Sequence, residues 1–596
     1  MLIFLVGLLL FLPTVSYEFT YDDSYVIVSN PLVQSPALFP KLWLRSYLGG
    51  DVNTNMGHWR PLGASTYAVT WWVFGDRPAV FHLTNALIHA LNGLLVFGLA
   101  RRWLRCDRAA GIAGLLFALH PVHIEAVANV IGRAELLVTL FTLLAWRVHL
   151  GGRPTAARAL GAAALYLCAM LCKESAVPGL GLFVLGDVIM APRRDRAWLR
   201  ERLPLWLAHL GALALFLLLR RAVLGIWGAP GIDRMPTNPL SAESSLTQWL
   251  TAITALAFHW RLLLWPVALQ FDYAHRAFPA VTSPLDPRFI AAVIALGALA
   301  ALAIWAWRRA RGVTQGIVIH FTAISIVSNI AFLPGVMISE RSLYLPSLGL
   351  CLMAGVCGEA LLRRWPPMIW GLAAVGLALG AQTTVQMRCW SDDLALFTHA
   401  AERGSNSTMV WGNLAAARQG AALKRGLQAL EEPESRALLL GSIEASDRAI
   451  EIWPDNLDAL ALRGQAWVLL GQTDLAVTDL DSVLERGPHH GRALRLRLNL
   501  ARERRELDLI DPLVDAALAR NPHCVVALQA RARWRLDQGR PEEALEAAEH
   551  LVELLPFSGV AWGFVAEARA ALGDAEGAAE ARRQIERWHW TIGLGQ

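Results

Sequence analysis

The chain has 596 residues, of which 55% are apolar and 17% charged, with a net charge of +5, and its mean hydropathy is +0.39. That balance excludes an ordinary soluble protein and fits one that crosses a membrane several times. The positive charge is mostly arginine placed between apolar runs, a topology signal and not a nucleic-acid footprint, and the seven cysteines show no CxxC and no metal spacing.

Residues 1–16 form the first apolar run, without a basic leader or a clear cleavage site, and read as a retained anchor. Tyr17-Glu18-Phe19-Thr20-Tyr21-Asp22-Asp23 follows, where the chain must surface, and opens an outer loop over 17–78 that also holds His58, Trp59 and Arg60. Further apolar runs fall at 79–100, 109–121, 134–150, 159–172, 175–191, 203–220, 248–269, 289–307, 314–334, 342–362 and 367–386. Arginine clusters at 101–108, 147–158, 193–202, 308–311 and 363–364 mark the cytoplasmic side. For the later clusters to land there, one run must not span. The segment 248–269, with Trp249, His259, Trp260, Arg261 and Trp265, reads as that re-entrant or interfacial piece within a middle outer region, 222–288. About eleven crossings then remain. Only Lys41, Lys173 and Lys424 are lysines, an arginine and alanine bias that suggests a GC-rich bacterial genome and the inner membrane of such a cell.

Beyond residue 390 the character changes to amphipathic, water-soluble helix. Pro454, Pro488, Pro522 and Pro556 recur every 34 residues; Gly471, Gly539 and Gly573 and Ala476, Ala544 and Ala578 keep the same phase. This is the tetratricopeptide period. Residues 406–453 read as one more unit with an insertion near 423–436. The sequence thus predicts an all-α protein: a polytopic transmembrane helix bundle over 1–390 and a repeat superhelix over 391–590, the repeats on the outer face.

Ionisable residues in a membrane domain serve a function or find partners. Five groups gather on the predicted outer side: Asp22 and Asp23; His58 and Arg60; His120, His123 and Glu125 with Arg133 and Glu135; Lys173 and Glu174; Glu340 and Arg341. Together they describe a polar cavity. Arg60, Arg133, Lys173 and Arg341 suit a phosphate, and a carboxylate of Asp22 or Asp23 suits a base toward a hydroxyl. Plainer readings stand beside these. The acidic pair also fits a solvated loop or a helix cap, His120, His123 and Glu125 fit either a metal or structural hydrogen bonds, and Lys173-Glu174 and Glu340-Arg341 each fit a local ion pair.

In chain order, Phe19-Thr20-Tyr21-Asp22-Asp23, Trp59-Arg60-Pro61-Leu62, Phe81-His82-Leu83-Thr84-Asn85, His120-Pro121-Val122-His123-Ile124-Glu125, Ile131-Gly132-Arg133-Ala134-Glu135, Lys173-Glu174 and Ser339-Glu340-Arg341-Ser342-Leu343-Tyr344 resemble the transmembrane and tetratricopeptide repeat-containing proteins, a family of protein O-mannosyltransferases. The resemblance implies a C-type glycosyltransferase fold, a polyprenyl-phosphate-linked sugar as donor, mannose, and a Ser or Thr hydroxyl of a protein as acceptor. The lipid-linked sugar phosphate is a substrate, and neither cofactor nor metal is implied. One of Asp22 and Asp23 is the implied base, with Asp23 preferred. The repeats would bind the acceptor protein. A membrane-anchored repeat scaffold, and a lipid-linked sugar transferase of envelope polysaccharide or lipid, are the other functions the sequence leaves open.

Overall fold

The structure, a computed structural model, describes residues 1–46, 57–152, 155–191, 193–227, 238–267, 269–273 and 277–587. Arg153, residues 228–237, 268 and 274–276 of the middle outer region, and the end of the repeat domain at 588–590 lie outside the described residues. Among the described residues there is helix and no strand. Two compact units result. The first takes in Met1–Val26, Phe39 onward to the described end at residue 46, and residues 57–396; the second takes in Ile27–Leu38 and residues from Phe397.

Among the described residues of the first unit, four helices are long and apolar enough to cross a bilayer: Pro78–Leu104, Arg196–Leu224, Pro287–Arg309 and Met368–Trp390. Shorter apolar helices, Leu2–Ser16, Ala156–Cys172 and Arg311–Val327, accompany them. Their ends are set locally. The Asp195 carboxylate caps Arg196–Leu224 by accepting the Trp198 N–H at 2.8 Å, and Gly225 at φ 74° ends it. Helices Arg311–Ile324 and Ser347–Arg364 cross through Gly316 and Gly349, where a Cβ on either would strike the other's carbonyl oxygen.

Three features bear on the sequence reading. Residues 61–74, expected as loop, form a helix, opened by Pro61 at its first position and built from an uncharged stretch, and closed at Gly75. Residues 245–264 form one unbroken helix, which is not among the four long spans. Residues 391–396 belong to the first unit, because the Ser391 carbonyl accepts the Glu18 N–H at 2.9 Å and the Asp393 carboxylate accepts the Tyr21 N–H at 2.7 Å.

The break that makes the site possible is at His120-Pro121. Proline lacks the N–H that a continuing helix needs, and the chain bends by 49° between Asp107–Leu119 and Pro121–Ala128. The His120 ring caps the new turn by accepting the Val122 N–H at 3.2 Å. Residues 121–133 thereby become a loop of short turns over the end of the bundle. Beneath it, Val122, Leu262, Leu269, Tyr273, Ile338 and Leu343 share one apolar cluster that joins the middle region to the loop before Ser347.

The second unit stacks helix pairs: Thr408–Lys424 with Pro433–Ile452, Leu457–Leu469 with Thr473–Arg486, Gly491–Glu503 with Ile510–Arg520, Val525–Asp537 with Pro541–Leu554, and Gly559–Ala571 with Ala575–Arg587. Gly471, Gly539 and Gly573 hold φ of 74°, 70° and 79° between the helices of their pairs. Ala476, Ala544 and Ala578 are buried, leaving room for the neighbouring helix. A ladder of ion pairs repeats with the same period: Asp447–Arg463, Asp481–Arg497 and Asp515–Arg531 each join the second helix of one pair to the first helix of the next. In the third pair Arg505 occupies the left-handed turn at φ 60°. A non-glycine residue costs about 1–2 kcal/mol there, so Arg505→Gly is expected to stabilise the repeats by up to about 1 kcal/mol after glycine's greater unfolded-chain entropy is deducted. The urea midpoint for proteolysis of the repeat region checks this, and an unchanged or lower midpoint counts against it.

Candidate functional site

Asp23 is fully buried. Its Oδ2 accepts the Thr20 N–H at 3.0 Å, which closes its own turn, and its Oδ1 accepts the Ile131 N–H at 2.9 Å, which ties that turn to the 121–133 loop. Gly132 makes the loop sharp enough for this, since a Cβ would collide with the Ala126 carbonyl. Burial pushes the Asp23 carboxyl up to about 7, against the pull of the Thr20 and Ile131 N–H groups. With both oxygens engaged and no solvent exposure, Asp23 is a tie between loops, and the preference for it as the base does not fit this geometry.

Asp22 is the open member of the pair. Its side chain is 32% exposed and its Oδ2 lies 4.0 Å from Arg341 Nη1. Tyr21, held at φ 52° with its N–H on Asp393, turns the chain so that neighbouring carboxylates part, one inward and one outward. Burial holds the Asp22 carboxyl above its ordinary value, opposed by Arg341, Arg60 and His58. Those same groups place it within a charged ring.

Arg341 Nε lies 3.3 Å from Glu125 Oε1 in an ion pair, the Arg341 backbone N–H donates to Glu125 Oε2 at 2.8 Å, and Ser339 Oγ donates to the same carboxylate. Arg60 forms a fork with Glu174, at 3.0 Å from Nε and 2.6 Å from Nη2, with His58 Nδ1 3.3 Å from Glu174. Lys173 Nζ sits 2.6 Å from Glu135, whose second oxygen accepts from Ser175 at 3.0 Å. Each cation keeps a fraction of its side chain exposed: 14% for Arg60, 15% for Lys173 and 19% for Arg341. Burial pulls the Lys173 ammonium down, with Arg60 and Arg341 adding to the effect and Glu135 opposing it. Burial alone would raise Glu174, but Arg60 and His58 hold it well below the usual carboxylate range. Burial would likewise lower Arg341, and Glu125 and Asp22 reverse that.

The ion pairs therefore differ from those the sequence order suggests. Lys173 lies in extended backbone, φ −165° and ψ 144°, where successive side chains point to opposite sides. It turns to Glu135 while Glu174 turns to Arg60. Glu340 likewise leaves Arg341 alone and accepts the Gln270 N–H at 2.7 Å and the Tyr273 hydroxyl at 2.5 Å.

Three candidates take structural places. Arg133 is fully buried, donating to Asn85 Oδ1 at 2.9 Å, Phe81 O at 3.0 Å, and Thr66 O and Thr70 Oγ1 at 3.3 Å, with its guanidinium over the Tyr67 ring. It pins the helix starts together and does not face the Asp22 cluster as a phosphate ligand. His120, besides its cap, approaches the Leu263 carbonyl at 2.9 Å; His123 approaches Ser347 Oγ at 2.8 Å. Both are buried, so they bridge helices and do not line a polar cavity. Sequence reasoning missed Ser175, Gln270, Tyr273 and Asp393, and quoted Tyr21 and Ser339 within motifs without giving them a role. The acid between aromatics in Phe271-Asp272-Tyr273, echoing Tyr21-Asp22, was the available signal for the middle region.

What gathers here is a partly exposed carboxylate, Asp22, loosely paired at 4.0 Å, beside three partly exposed cations, each already oriented by another carboxylate; Glu174, 30% exposed, is the one forked to Arg60. Such a set can accept a proton at Asp22 and neutralise an anion at the cations.

A family model described as protein O-mannosyl-transferase TMTC, DUF1736, matches residues 234–300. Human protein O-mannosyl-transferase TMTC4 is 29% identical over 389 residues, covering 56% of this chain and 52% of that protein. TMTC3 of Mus musculus is 24% identical over 588 residues, covering 90% of this chain and 61% of its own length. The chain thus spans about half to three fifths of the length of these curated relatives. Among solved structures, that of ArnT from Cupriavidus metallidurans bound to undecaprenyl phosphate aligns with 82% of this chain and 80% of its own, at 17% identity and a TM-score of 0.37.

Proposed function

The chain is a relative of the TMTC protein O-mannosyl-transferases, and on that premise we propose that it is a multi-pass membrane glycosyltransferase of the C type. It moves mannose from a polyprenyl-phosphate carrier to a Ser or Thr hydroxyl of a protein. The acceptor oxygen attacks the anomeric carbon as the bond from that carbon to the phosphate oxygen breaks. The hydroxyl proton passes to the Asp22 carboxylate, and polyprenyl phosphate departs as the leaving group. That group needs charge neutralisation and no acid, which Arg341, Arg60 and Lys173 supply, Arg341 and Arg60 being the cations whose charge reaches Asp22. The observation that carries this reading is the partly exposed Asp22 carboxylate set 4.0 Å from Arg341.

The apolar helices fit a membrane protein, and we set it in a bacterial inner membrane with the site and the repeats outward, a reading the arginine-rich, lysine-poor composition supports. The repeats recruit the acceptor polypeptide. The test is transfer by the purified whole chain from polyprenyl-phosphate mannose to a Ser/Thr-rich acceptor mixture. Mannosylated acceptor is the expected product. No transfer from mannose or any other lipid-phosphate sugar would leave a membrane-anchored repeat scaffold as the better account.

A further inference from the structure

A second charged cluster stands away from the transfer site, and the step above does not use it. Lys173 follows the last residue of Ala156–Cys172, whereas Arg158 lies in the first turn of that helix, about 22 Å of helix away. At this far end Arg158 donates to the Val148 carbonyl at 3.0 Å and to the His149 carbonyl at 2.7 Å, and Arg102 donates to the carbonyl of Leu150. Both guanidinium groups thus sit on the turn that ends Arg133–His149. Arg202 comes to the same turn through Asp187: its Nη1 is 3.6 Å from Asp187 Oδ1, and Asp187 Oδ2 lies 2.7 Å from His149 Nε2. The charges of Arg202 and Arg102 both reach Arg158.

Carbonyl oxygens orient a guanidinium and leave its charge whole. Asp187 is shared: the oxygen that takes His149 also accepts the Trp206 N–H at 3.0 Å, and the Nε of Arg202 is buried with no hydrogen-bond partner among the described residues. Arginines drawn together in this way favour an anion among them, and their planar forks match phosphate. The surroundings say which kind of phosphate. Arg102 is in the last turn of Pro78–Leu104 and Arg202 near the start of Arg196–Leu224, two of the helices long and apolar enough to cross a bilayer, so both stand where lipid headgroups lie. Next to Arg202, Leu199, Leu203, Leu207 and Leu210 form an exposed apolar stripe along the same helix, against which an acyl chain can rest.

We propose that this end of the bundle holds the phosphate of an anionic phospholipid, with the Arg102 and Arg202 guanidinium groups as its two arms and Arg158 beside them. The site is separate from the transfer reaction and does not depend on the transferase reading.

The experiment is native mass spectrometry of the purified whole chain, titrated with phosphatidylglycerol, with phosphatidylcholine of the same acyl chains, and with inorganic phosphate. Phosphatidylglycerol is expected to bind about tenfold or more tightly than phosphatidylcholine. Arg102→Gln lowers its affinity about tenfold, and Arg102→Gln with Arg202→Gln about a hundredfold, one charge-assisted contact being lost with each arginine. Arg308→Gln with Arg309→Gln, which strips two basic residues from the end of another long helix, leaves it unchanged. Equal affinity for the two lipids overturns the proposal, as does wild-type affinity in the Arg102, Arg202 double variant. An equal loss in the Arg308, Arg309 variant overturns it too, because bulk charge would then suffice. Displacement of the lipid by inorganic phosphate at equal concentration makes this a free-phosphate site and rejects the lipid. Should Arg202→Gln fail to fold, Arg102→Gln carries the test alone: Arg102 is exposed, and undiminished affinity in that variant overturns the inference.

Discussion

Asp22→Asn lowers the rate of sugar transfer by roughly 10²- to 10⁴-fold, the range expected when a positioned general base is removed, and leaves the melting temperature close to that of the wild type. The stability half of that expectation follows from its surroundings: a partly exposed side chain whose ionic partner, Arg341, is 4.0 Å away and held independently by Glu125. Asp23→Asn behaves differently. An amide has one acceptor oxygen where Asp23 uses two, so either the Thr20 or the Ile131 N–H faces an NH2 group, and the cost falls on folding and on the seating of the 121–133 loop. The pH dependence separates the two further. A base must be deprotonated to act, and the Asp22 carboxyl is held above its ordinary value, so activity rises with pH through that raised value and the limb vanishes in Asp22→Asn. Asp23 contributes stability of the opposite sign. Its carboxyl is raised in the folded state to about 7, so its contribution is complete below the unfolded value of about 3.9 and is lost as pH rises toward 7. Full turnover in Asp22→Asn with loss of turnover in a well-folded Asp23→Asn would return the base to Asp23.

Arg341→Met is the second large effect. It removes the cation that faces Asp22 and strands the buried Glu125 carboxylate, which breaks a buried ion pair from one side, a loss of about 3–5 kcal/mol. Thermal melting of the purified protein reads that loss. Donor KM rises more than about tenfold at the same time, because a charge-assisted contact to phosphate is gone. Glu125→Gln in the same chain separates the two consequences: it relieves the stranded charge and recovers melting temperature without recovering donor affinity. Recovery of both would mean that Arg341 matters only as Glu125's partner.

The repeats were legible because their information is periodic. Four prolines at intervals of 34 and three glycines in phase survive any error in locating a single helix, and the structure places those glycines at positive φ. Arg505 shows why a strict pattern search stumbles at the third pair: the backbone conformation is kept while the residue that favours it is not. The bundle was legible as apolar helices. The helix at 61–74 was not, since fourteen residues fall short of a membrane span and loops are easily assumed there.

In the site, residue types were readable and pairings were not. Lys173-Glu174 and Glu340-Arg341 look like ready-made ion pairs on paper, yet each member turns to a partner far away in sequence, Glu135, Arg60, Tyr273 and Glu125. Backbone direction decides this, and adjacency does not reveal it. Arg133 shows a related effect: an arginine in a polar motif invites a ligand, while burial and four oxygen acceptors from the Thr66, Thr70, Phe81 and Asn85 positions engage it internally. The choice between Asp22 and Asp23 needed the left-handed turn at Tyr21, which sequence does not display.

The ion-pair ladder of the second unit makes that unit divisible like a strip of identical tiles. Each of the three ladder aspartates finds an arginine sixteen residues downstream, across the joint between one helix pair and the next. A chain from which residues 448–481 had been excised would bring Arg497 to the sixteenth position after Asp447, so the seam would close on the same kind of bond it had lost. Length in such an array is free to drift by whole units through copying errors, with each new joint arriving already fastened.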